Sequence, residues 1–137
     1  MTTYFSKNVG KKAFMRTINS LGELNLPARQ EHCLELLLEY FCGFPKIERI
    51  LLFGSCARGE ATPKSDIDLL LLGQDLTDDD EWEIAWNCPV LEGKDYISYD
   101  LISGTHDDFD RMSKMPGMIQ YVIALRGVDI SELLHAG

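Results

Sequence analysis

The sequence predicts an α/β fold: one domain built as a small mixed β-sheet with helices mainly on one face. Three observations lead there. The chain has 137 residues, the length of a single domain. Two short apolar runs, KIERILLF (46–53) and SDIDLLLLG (65–73), have strand length and composition. Between and around them lie segments whose apolar side chains recur at helical spacing. No repeat, linker or low-complexity tract divides the chain, so 1–137 reads as one domain, with its core at about 27–130 and a helical extension at 1–26.

The elements follow in order. In 10–21, Ala13, Phe14, Ile18 and Leu21 lie opposite Lys11, Lys12 and Arg16, the pattern of an amphipathic helix. Residues 27–42 open on Pro27, repeat apolar groups at Cys33, Leu36, Leu37, Tyr40 and Phe41, and stop at Gly43 with Pro45 behind it. The runs 46–53 and 65–73 are the buried strands. Thr77 or Asp78 can cap a helix whose first turn is acidic and whose packing face is read as Trp82, Ala85 and Trp86. KDYISYDLIS (94–103) reads as another strand. A short helix near 106–114 and a longer one from Pro116 to Gly127 complete the chain.

With 45% hydrophobic and 26% charged residues the chain should bury a real core, which excludes disorder and fibrous classes. The aliphatic run 69–72 is far short of the roughly 18 to 20 residues of a membrane span, and the start MTTYFSKNVGKK has no signal-like apolar region, so a cytoplasmic protein with no membrane partner is expected. The net charge of −9 is concentrated: residues 75–110 hold 12 acidic groups and 1 basic one. Such a surface repels a polyanion, and non-specific nucleic-acid binding is not expected. Cys33, Cys42, Cys56 and Cys88 lack the spacing of a zinc or redox motif and read as free thiols. His32, His106 and His135 are scattered and carry no assigned chemistry. The acidic cluster at 78–81 lacks the spaced ligands of a calcium loop and reads as helix-end chemistry.

The informative stretch is ILLFGSCARGEATPKSDIDLLLL. A strand ends at Gly54 and Ser55, ten residues intervene, and Asp66, Ile67 and Asp68 open the next strand. Glycine after a strand lets the backbone turn sharply and approach a ligand, and the following amides with the Ser55 hydroxyl can point at phosphate oxygens. Asp66 and Asp68, two apart on a strand, face one side with a backbone advance of roughly 6 to 7 Å, suited to bracketing one or two Mg²⁺ ions. The short connection predicts antiparallel strands, which brings cradle and carboxylates to the same end. A third carboxylate is wanted. Asp100, between Tyr99 and Leu101, is favoured over Asp95 because a charge in a strand interior is costly without a cation. Four fixed residues at this spacing arise by chance in roughly a few of every thousand chains of this length. A Walker A loop is excluded, since FGSCARGE lacks the Gly-Lys-Ser/Thr ending.

At these residues the sequence resembles the minimal nucleotidyltransferases (MNT) of the DNA polymerase β-like superfamily, whose pattern is Gly-Ser, ten residues, Asp-x-Asp. The fuller form, Leu-Phe-Gly-Ser-x-Ala-Arg-Gly followed by Ser-Asp-Ile-Asp-Leu, is matched by residues 52–59 and 65–69, and the likeness extends over roughly 27–130. The resemblance implies that Asp66, Asp68 and Asp100 are catalytic and hold metal, two Mg²⁺ ions by the usual arrangement. It implies that Gly54, Ser55 and Arg58 serve nucleotide binding, with ATP or another NTP as substrate. Cys56 occupies a variable position and receives no catalytic role; Arg126 stands where an acidic residue is frequent. Small stand-alone members resemble the antitoxin of HEPN/MNT toxin-antitoxin pairs, which implies AMPylation of a tyrosine on an all-helical HEPN ribonuclease. Two other readings compete: an aminoglycoside-like small-molecule O-nucleotidyltransferase, and a non-catalytic binding module of the same fold.

Overall fold

A computed structural model of the protein describes residues 15–89 and 97–135. Five strands form one mixed sheet: β1 (Arg16–Thr17), β2 (Arg49–Phe53), β3 (Ile67–Leu72), β4 (Tyr99–Gly104) and β5 (Val128–Asp129), in the spatial order β1-β5-β2-β3-β4. The helices are α1 (Ala28–Phe41), α2 (Ser55–Arg58), α3 (Asp78–Trp86), α4 (His106–Met112) and α5 (Ile119–Arg126). Short 3-10 turns at Leu21–Leu24 and Ser131–His135 flank them.

β2 and β3 pair antiparallel, as their short connection predicts, and β3 pairs parallel with β4. Side chains alternate across the sheet, so successive residues feed two cores. Ile50, Leu52, Ile67, Leu69 and Leu71 join the larger one, packed against Leu34, Leu37, Phe41 and Ile84. Leu51, Leu70 and Leu72 point to the other face and meet Phe109, Ile123 and Ala124 of α4 and α5. Both faces are thus covered, the larger layer on one of them. Full burial of each such Leu or Ile contributes about 1.5–3 kcal/mol, which explains why uninterrupted apolar runs rather than alternating ones mark β2 and β3.

Three expectations need correction. Within 10–21, residues 15–20 are not helical, and only Leu21 opens a 3-10 turn. Met15 and Ile18 are buried around β1, which pairs parallel with β5 through Arg16 with Val128 and Thr17 with Asp129, and the Ile18 N–H donates to the Asp129 carbonyl at 3.2 Å. A strand-edge partner far along the chain outweighs the local helical pattern; residues 10–14 lie outside the described part. The second correction is the face of α3. Thr77 caps it, its Oγ1 accepting from the Asp80 N–H at 3.2 Å while Asp80 reaches back to the Thr77 N–H at 3.0 Å. That phase turns Ile84 inward, beneath Tyr40, whose Oη donates to the Ile84 carbonyl at 2.7 Å. Trp82, Ala85 and Trp86 face solvent instead. The third correction concerns burial of Asp100 and is taken up with the site.

β5 is held to β2 by the buried ion pair of Arg49 with Asp129. Asp129 Oδ1 also accepts from the Ser131 N–H at 3.0 Å, and Ser131 Oγ accepts from the Ile50 N–H at 2.9 Å. Among the described residues no helix is long and apolar enough to cross a membrane.

Candidate active site

β2 ends at Phe53, and the chain turns at Gly54 with φ 77° and ψ −159°. This is a region that side-chain-bearing residues avoid. A Cβ at Gly54 would also overlap Asp68 Oδ2 and come within 3.3 Å of Asp68 Cγ. Only glycine lets this turn lie against the carboxylate. Ser55 then opens α2, a single turn whose first amides have no acceptor within the helix. Cys56 and Ala57 bury the turn, and the Cys56 thiol donates to the Asp66 carbonyl at 3.4 Å. Cys56 is a buried free thiol, and burial pushes it up to about 11, away from reactivity.

The register of the sheet assembles the carboxylates. Asp68 on β3 lies between Phe53 on β2 and Asp100 on β4, each a direct partner. It shares the face of Leu70 and Leu72, so the acidic residues lie at the end of β3 where the α4 and α5 layer stops. Asp66 stands just before the strand. Burial of Asp68, the facing Asp100 charge with its side-chain hydrogen bond, and the nearby Asp66 together push the Asp68 carboxyl up to about 6, while Arg58 pulls it the other way. A hydrogen bond between two carboxyl groups needs a proton on one of them, and Asp68 is the partner whose surroundings favour keeping it. The antiparallel strand pair therefore brings cradle and carboxylates together, as the spacing required.

The sequence argument for Asp100 rested on burial, and the side chain is exposed. β4 is the edge strand, so only one neighbour shields it. What brings Asp100 to the site is its register with Asp68, which the sequence did not reveal. Asp95 lies outside the described residues. Arg58 is exposed, pairs with Glu60 at 3.0 Å and acts on Asp68 electrostatically.

Sequence reasoning missed Gln30. Fully buried on α1, its amide nitrogen donates to the carbonyls of Thr62 at 2.9 Å and Ser65 at 3.1 Å. Arg29 Nη1 adds a bond to the Pro63 carbonyl at 3.2 Å. These contacts fix the loop that delivers Asp66. A polar residue at a core position of an otherwise apolar helix face is the signal that could have found it. Outside the site, His106 Nε2 meets Glu48 Oε1 at 2.8 Å, and Cys33, Cys42, Cys56 and Cys88 are free thiols, three of them buried.

Among the described residues no group of three or more His, Cys, Asp or Glu side chains is arranged to hold a metal ion by itself. The donor chemistry nonetheless fits a hard cation. All the donors are carboxylate oxygens, and Mg²⁺ is characteristically held by one or two carboxylates together with waters and substrate phosphates rather than by an all-protein cage.

A strand-turn-strand unit with this glycine turn and facing aspartates defines a class of phosphoryl-handling α/β domains. Residues 34–124 match the nucleotidyltransferase domain family, and the chain belongs to that family. It is a transferase that moves a nucleoside monophosphate from an NTP; domains of this family use an NTP and a divalent metal. The chain is also similar to a crystal structure of a candidate nucleotidyltransferase from Sulfolobus solfataricus, at 26% identity over 61% of this chain and 76% of that one, with a TM-score of 0.42. No curated protein matches the chain.

Proposed function

We propose that the chain transfers AMP from ATP, with Mg²⁺, to a tyrosine hydroxyl of an all-helical HEPN ribonuclease, and so serves in the cytoplasm as the antitoxin of a toxin-antitoxin pair. The observation that carries the chemistry is the register match of Asp68 with Asp100 beside the Gly54 turn. Asp66, Asp68 and Asp100 are the residues that would hold Mg²⁺. Bound there, the ion supplies charge neutralisation at the α-phosphate and acidifies the acceptor hydroxyl.

The chain's own residues do the rest. Gly54 brings the backbone close, and Ser55 with the first amides of α2 binds phosphate oxygens. Arg58, at the end of that turn, balances negative charge beside Asp68. The acceptor oxygen bonds to the α-phosphorus as the bond to pyrophosphate breaks, and Asp100, exposed toward the incoming group, takes the hydroxyl proton. The choice of a protein acceptor is supported by the openness of the carboxylate row. Asp66 and Asp100 are both exposed, so a group carried on a protein surface can reach them.

The test incubates the full chain with Mg²⁺ and α-labelled ATP, once with a purified HEPN partner and once with a hydroxylated aminoglycoside. Label on a partner tyrosine, lost in Asp68→Asn, is the expected result. Label on the small molecule alone would replace this reading by the small-molecule O-nucleotidyltransferase, and label on neither would overturn both.

A further inference from the structure

Helix α3 carries an unusual outer face. Trp82 and Trp86, one turn apart, are 64% and 73% exposed, and their rings stack at a centroid distance of 5.3 Å with an interplanar angle of 10°. Two indoles stacked in water cover one face of each other and leave an outer face and the ring edges open, an apolar patch that a monomeric chain rarely exposes. The same helix bears Asp78, Asp79, Asp80, Glu81 and Glu83 and no basic residue. Asp80 is engaged by Lys46 at 3.1 Å and by the Thr77 cap, whereas Asp78, Asp79 and Glu83 are exposed around the rings.

We propose that the Trp82 and Trp86 face of α3 is a docking surface for a protein partner that presents arginine side chains. The charge decides the partner's sign: an acidic helix on a chain of net charge −9 repels a second copy of itself and an anionic lipid surface alike. The rings decide the side chain. A guanidinium stacks flat on an indole and pairs with carboxylates in the same plane, whereas a lysine ammonium is a compact, strongly hydrated charge that does neither as well. The location decides what docking leaves free. Ile84 anchors α3 to the larger core, on the face of the sheet opposite Asp68, so a partner seated on the rings and a cation at Asp68 use opposite faces. This inference stands whether or not the acceptor is a HEPN tyrosine.

Both tryptophans of the chain lie in this patch, so selectively excited tryptophan fluorescence reports on it alone. The full chain is titrated with a nona-arginine and a nona-lysine peptide at low and high salt. The arginine peptide should change the emission and bind about five-fold more tightly than the lysine peptide, with both weakening as salt rises. In Trp82→Ala/Trp86→Ala, followed by calorimetry, the two peptides should bind equally, while Mg–ATP binding stays at the wild-type value and shows that the variant is folded. Asp78→Asn/Asp79→Asn should weaken both peptides alike. Equal affinity for the two peptides in wild type, or an arginine preference that survives loss of both rings, would overturn the proposal. So would an emission change with protein concentration alone, which would identify a second copy as the occupant.

Discussion

Replacing Asp68 by Asn isolates the electrostatic cost of the site in the absence of a cation. The Asp68 carboxyl, ordinarily at 3.8, is pushed up to about 6 by burial and by Asp100. A carboxyl raised in this way holds its proton more tightly in the native chain than in the unfolded one. Between about pH 4 and pH 6 the native state therefore binds the extra proton, and stability falls as pH rises through that window. A gap of roughly two pH units corresponds to at most ~3 kcal/mol at 1.36 kcal/mol per unit. Asp68 is only half-buried, so solvent screening reduces this to about 1 kcal/mol. Asn is neutral throughout. In EDTA, the stability of Asp68→Asn relative to wild type should therefore improve by about 1 kcal/mol between pH 4 and pH 7, a change of about 4 °C in the relative Tm for a chain of this size. Urea unfolding at the two pH values measures it. A stability difference that does not change with pH would refute the argument that Asp68 carries the repulsion. ATP with Mg²⁺ should raise the Tm of wild type and leave that of the same variant unchanged.

Gly54→Ala forces a Cβ into Asp68 and a side chain into a glycine-only backbone region, which should cost about 2–3 kcal/mol in urea unfolding and weaken Mg–ATP binding at least ten-fold by calorimetry; wild-type affinity would remove the turn from the nucleotide site. Asp100→Asn should leave Mg–ATP affinity within about three-fold of wild type while lowering turnover by about two orders of magnitude, and a collapse of binding instead would transfer the proton-accepting role elsewhere. Gln30→Leu removes both bonds to the loop carbonyls at 62 and 65, with an expected loss of about 2 kcal/mol and a larger loss of turnover than of fold, read by comparing kcat with Tm. Asp129→Ala takes away the carboxylate that faces buried Arg49; about 3 kcal/mol should be lost with Mg–ATP binding per folded molecule unchanged.

Much of this protein is legible in its sequence. The glycine turn, the ten-residue gap and the paired aspartates are local features, and their spacing alone implied the antiparallel β2 and β3 pair that the sheet contains. The caps of α1 and α3 and the apolar runs of β2 and β3 were equally local, because turn chemistry and full burial leave their mark on consecutive residues. Tertiary structure decided the features that depend on a distant partner. The two-residue strand β1 exists only because β5 lies beside it, more than a hundred residues away in sequence, and nothing local distinguishes it from a helical turn. The phase of α3 was set by where Ile84 could be buried, and that sent two tryptophans outward against the expectation from their hydrophobicity. Asp100 reached Asp68 through strand register, a relation between chains of hydrogen bonds that no periodicity records. The sequence by itself determined which groups could do the chemistry, because their spacing is short. Only the sheet, by pairing residues far apart along the chain, decided which of them meet.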